Sequence, residues 1–102
     1  MPMSSPGFIQ IMEFTAPDLG AVLAVTEEWK KATEGRRTAR HEIVTRDRNT
    51  ADRYRIIVFF DSYESAMENS NLPETQQFAE RQAAVLSDMS FADLEVLADA
   101  DL

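Results

Sequence analysis

The chain has 102 residues, a formal net charge of −8 and no cysteine. That length is one domain, able to bury roughly 60–70% of its unfolded surface. Its composition excludes disulfides, and no apolar run reaches membrane-spanning length. The charge is unevenly spread: nine of the ten basic residues lie between Lys30 and Arg55, interleaved with Glu34, Glu42, Asp47 and Asp52. Interleaving of this kind reads as a solvated hairpin, so neither a nucleic-acid nor a membrane partner is expected.

Residues 1–6 read as a disordered leader with no basic n-region and no long apolar core, unlike a signal peptide. Together with the lack of cysteine, this makes a cytoplasmic location the expectation. Residues 8–14 form a first strand that is apolar on both faces, with Phe8, Met12 and Phe14 on one and Ile9 and Ile11 on the other. Each face carries one polar exception, Gln10 or Glu13. Glu13 suits a wet strand end, and Gln10 suits a backbone contact, a partner subunit or a pocket.

A helix follows, with Thr15 or Asp18 as cap and Pro17 in its first turn. Leu19, Val22, Leu23, Thr26, Trp29 and Thr33 make its apolar stripe, and Gly35 suits a left-handed residue after the last turn. Trp29, the only tryptophan, reads as core packing or as the wall of a ligand cavity.

Residues 38–46 alternate as a more polar strand, nearer an edge, and a turn over 47–52 returns the chain. His41, the only histidine, shares a face with Ile43. It reads as a hydrogen-bonded structural histidine or as a base, its ordinary pKa being near neutrality. Residues 54–60 (YRIIVFF) are the densest β-branched and aromatic run, without glycine or proline. Both faces of this strand are apolar, so both need covering. A chain this short supplies helices for one side only, which points to a second copy on the other.

Asp61 and Ser62 suit caps for a turn over 63–68, and Asn69-Ser70-Asn71 reads as a break. Pro73 opens a longer helix with Phe78, Gln82, Val85, Leu86 and Met89 along its stripe. A last strand is expected over 91–97, followed by an acidic tail over 99–102. The order of elements gives an α+β, ferredoxin-like βαββαβ domain over residues 7–98, a four-stranded antiparallel sheet with helices on one face.

With that element order, and with the stretches 33–39 (TEGRRTA) and 62–67 (SYESAM), the chain resembles the dimeric α/β-barrel superfamily over residues 8–98. It is similar there to small antibiotic-biosynthesis-monooxygenase-like proteins of unknown function. The resemblance implies a homodimer with paired sheets and a pocket between sheet and helices for a small organic ligand. It implies no cofactor. In the cofactor-free monooxygenases of the group such a pocket holds a phenolic substrate for reaction with oxygen. The haem-degrading members use a helical histidine, whereas His41 is read on a strand.

No catalytic motif of the group matches residue by residue. The candidates are His41 and Trp29 for catalysis and Gln10, Tyr54 and Tyr63 for ligand binding, chosen as polar or amphipathic groups on apolar faces or at their ends. No Cys or His cluster suggests a metal. Two readings remain open: a cofactor-independent monooxygenase acting on an aromatic or polyketide-like compound, and a non-catalytic ligand-binding or assembly module.

Overall fold

A computed structural model describes residues 7–102; the expected leader over 1–6 lies outside the described residues. The elements are β1 (Phe8–Thr15), α1 (Leu19–Ala32), β2 (His41–Arg46), β3 (Arg53–Phe60), α2 (Tyr63–Asn71), α3 (Pro73–Ala83) and β4 (Ser87–Glu95). The strands form one antiparallel sheet in the order β2-β3-β1-β4. The two strands that are apolar on both faces are therefore the central pair, and the fold is ferredoxin-like.

Register decides which face meets the helices. Phe8, Met12 and Phe14 stand opposite Phe60, Ile56 and Tyr54, and all six are buried in one core with Val58, Val22 and Ala66. The other face carries Ile9, Ile11, Ile57 and Phe59, all half-buried, with Ile43 40% and Leu94 44% exposed. No helix among the described residues lies over it. Glu13 sits at the end of this open face, paired with Arg53 at 3.2 Å and Arg55 at 2.7 Å.

Several boundaries differ from the sequence expectation. Pro17 precedes the α1 cap, Asp18, whose side chain makes no capping hydrogen bond. Gly35 does adopt a left-handed φ of 80°, where a side chain would be strained. Strand β2 starts at His41 and not at 38, because Thr38 is drawn toward α2: its N–H donates to Asn69 Oδ1 at 3.3 Å and its hydroxyl to the Ser65 carbonyl.

Helix α2 runs through Asn69-Ser70-Asn71, the expected break. It opens with a reciprocal box in which Ser65 N–H donates to Ser62 Oγ and Ser62 N–H donates to Ser65 Oγ, satisfying two otherwise orphaned donors. The break comes at Leu72, whose ψ of 133° is what a following proline demands. Strand β4 begins four residues earlier than expected. Met89 thus belongs to β4, not to the α3 stripe, which ends at Ala83. Ser87 to Ser90 show no apolar alternation. Pairing with β1, with a register shift between Glu13 and Thr15, makes them a strand.

Candidate functional site

Between the helix-covered face of the sheet and the helices lies a cavity of about 470 Å³, the size of a small-molecule site. Its floor is the sheet: Met12, Val58 and Phe60 are apolar, and Gln10 and Asp93 are polar. Gln10 and Asp93 are register partners on β1 and β4, and Gln10 Nε2 donates to Asp93 Oδ1 at 3.2 Å. Phe91, 60% exposed, stands on the edge strand at the cavity margin.

The roof is built around Trp29. The apolar stripe of α1 puts it near the helix end, and its indole N–H donates to Thr75 Oγ1 on α3 at 2.9 Å. Its ring meets Phe78 with centroids 5.6 Å apart. The Arg37 guanidinium carbon lies 5.8 Å from the indole centroid, within cation–π range, and Arg37 Nη1 donates to the Lys30 carbonyl at 2.7 Å. The indole is thus held on three sides.

Asn69 and Gln82 also line the cavity, both buried. Asn69 accepts from Thr38. Gln82 Nε2 is buried without any hydrogen-bond partner, a condition that costs about 1–3 kcal/mol. Gln82 lies one turn beyond Phe78 on α3, where the helical spacing asks for an apolar side chain.

The margins are charged. Lys30 lies 3.2 Å from Glu27 and 3.5 Å from Glu42. Burial alone would lower its pKa, but the hydrogen bond to Glu27 and the charges of Glu42 and Glu27 raise it overall. At the start of α3 the Arg36 guanidinium, 2.7 Å from Glu74, holds that carboxyl below its ordinary range. Arg81 on α3 pairs with Glu28 on α1.

Of the residues singled out from the sequence, Gln10 and Trp29 come together in this cavity. His41 is exposed on the opposite sheet face, its ring 5.5 Å from that of Phe59; it borders a smaller groove of about 230 Å³ with Trp29, Lys30 and Arg37. Tyr54 is buried against Phe14, with the Arg46 guanidinium 5.9 Å from its ring. Tyr63 packs edge-on against Phe8 at the surface. The sequence reading missed Asn69 and Thr75 and took Gln82 only as a stripe member. The available signal was an amide at a helical position that packing would fill with a hydrocarbon.

Among the described residues no group of three or more His, Cys, Asp or Glu could hold a metal. No helix among them is long and apolar enough to cross a membrane.

Element order, one-sided helices and the cavity beneath them define a ferredoxin-like α+β protein. No protein-family model and no curated protein matches the chain, but solved structures do. SnoaB, a cofactor-independent oxygenase from Streptomyces nogalater, superposes with a TM-score of 0.75 at 12% identity, covering 93% of this chain and 97% of that one. An antibiotic biosynthesis monooxygenase homologue from Deinococcus radiodurans gives 0.73 at 14% identity, with coverage of 93% and 97%. A dimeric ferredoxin-like protein of unknown function from Thermobifida fusca gives 0.69 at 12% identity, with coverage of 94% and 96%. At these identities the likeness carries the fold.

Proposed function

We propose that the chain is a homodimeric, cofactor-independent monooxygenase whose cavity takes an aromatic or polyketide-like substrate. The observation that carries the reading is the cavity itself, an apolar floor facing the immobilised indole of Trp29, with amides set among the hydrocarbon. Flat aromatic ligands suit such a slot because ring–ring contact adds to simple burial. The fold shared with a cofactor-independent oxygenase supports the same reading.

The chemistry balances without a cofactor. Oxidation of an anthrone by O₂ converts its CH₂ into a C=O and releases one water; the substrate supplies the electrons, and one oxygen atom enters the product. The residues then have three tasks: to hold the ring, to take a proton from the activated carbon and to exclude bulk water. Trp29 and Phe78 hold the ring. Asp93, a carboxylate of the cavity lining that accepts from Gln10, takes the proton in this reading. The open sheet face is covered by a second copy.

The test is oxygen uptake with anthrone, with product analysis. Stoichiometric uptake and quinone formation, reduced at least tenfold in a folded Trp29→Phe variant, would support the reading. Anthrone bound but recovered unchanged would favour the non-catalytic binding module, which the same cavity also fits.

A further inference from the structure

We infer that Gln82 recognises a carbonyl oxygen on the buried edge of the ligand, and so sets a preference for ketones and quinones over plain hydrocarbons; the inference rests on the cavity being an aromatic-ligand site. The observation is one unmet group. Gln82 lines the cavity, is only 4% exposed, and its Nε2 has no hydrogen-bond partner. Four other polar residues of the lining each make a hydrogen bond within the protein. Thr26 donates to the Val22 carbonyl at 3.2 Å, Thr75 accepts from Trp29, Asn69 accepts from Thr38, and Gln10 donates to Asp93.

A buried NH₂ has two protons to give and nothing to accept with. Its complement is an oxygen lone pair, and a ketone carbonyl supplies one without bringing a proton that would itself need an acceptor. The terminal torsion of glutamine is broad and two-fold, so the NH₂ can turn toward an acceptor entering from the cavity without moving α3. Buried amides are ordinarily satisfied. A position on the apolar stripe that carries one unsatisfied is therefore assigned here to a ligand. Phe78, one turn earlier on the same helix, meets the Trp29 ring at a tilt, with centroids 5.6 Å apart, and all three side chains line the same cavity.

The experiment titrates 1-tetralone and its keto-free counterpart tetralin into the full chain and into Gln82→Met and Gln82→Leu, reading the fluorescence of Trp29. The expected result is at least about tenfold tighter binding of the ketone by the native chain. The preference should vanish in both variants while tetralin affinity holds or rises. The variants should also melt at higher temperature than the native chain, since an apolar side chain relieves the unmet donor. A merely structural amide would give the opposite shift.

If the ketone preference survives in Gln82→Met with both compounds still bound, the role of Gln82 is overturned and the cavity reading stands. Gln82 equally loses this role if neither variant folds, or if the native chain binds the two compounds with the same affinity. If the native chain binds neither compound, the aromatic-ligand reading falls and takes this inference with it.

Discussion

Trp29 and Thr75, 46 positions apart in the sequence, meet through one hydrogen bond of 2.9 Å from indole N–H to hydroxyl. It joins the end of α1 to the start of α3 and fixes the plane of the ring that roofs the cavity. Removing the donor in Trp29→Phe or the acceptor in Thr75→Val should each lower stability by about 1 kcal/mol, a fall in Tm of roughly 4–8 °C for a domain of this size. In urea unfolding the double variant should lose clearly less than the sum of the two. Full additivity would mean that the bond contributes nothing.

The open sheet face yields a prediction about association. Phe59 stands opposite Ile9 on the two central strands. A paired sheet would bury both, and truncating a buried Phe costs about 3–5 kcal/mol. Sedimentation should find the native chain at twice its 11.5 kDa mass. Phe59→Asp should leave either a single folded chain or an unfolded one. A folded Phe59→Asp dimer of native strength would rule out pairing through this face.

His41 shares that face, away from the main cavity. His41→Ala should therefore leave the affinity of a cavity ligand within about twofold of native, whereas Trp29→Phe should weaken it. The paired fluorescence and calorimetric titrations that compare them need no knowledge of the natural substrate. A tenfold loss of affinity in His41→Ala would show that the smaller groove and the cavity form one site.

The Ser62 box predicts local stability. Ser62→Ala removes the acceptor for the Ser65 N–H and should cost about 1 kcal/mol. Because Asn69 on the same helix lines the cavity, amide exchange along α2 is the sensitive readout. Unchanged exchange in the first turn of α2 would exclude a capping role.

Glu74 gives a pH prediction whose sign follows from its hydrogen bond with Arg36. The bond lowers the carboxyl pKa in the folded state relative to the unfolded chain. The stabilisation is therefore present above the unfolded-state value, about 4.3, and is lost as pH falls through the lower folded value. Glu74→Gln should be less stable than native at neutral pH and should converge with it in acid. The gap should narrow in high salt, as for any exposed ion pair.

The central half of the fold was legible because β1 and β3 carry large apolar side chains at both parities, a pattern only an inner strand tolerates. The ends of elements were not. Strand β4 begins in Ser87-Asp88, and Thr38 leaves β2 for α2; both follow from contacts made by distant parts of the chain. The lining of the cavity was legible in part. Gln10 and Trp29 stood out as polar or amphipathic groups on apolar faces. Asn69 and Thr75 sat within polar stretches, and only the packing of α2 and α3 over the sheet turns them toward one space.

Strand β1 has a consequence for regulation. Gln10 and Met12 face the cavity, while Ile9 and Ile11, their immediate neighbours in sequence, face away from it. Only the thickness of one backbone separates the two surfaces. If a second copy covers the outer surface, whatever orders β1 from inside also favours its outward-facing shape, and by thermodynamic reciprocity association favours the ligand. Affinity measured at nanomolar and at micromolar protein should then differ, the dilute sample binding more weakly.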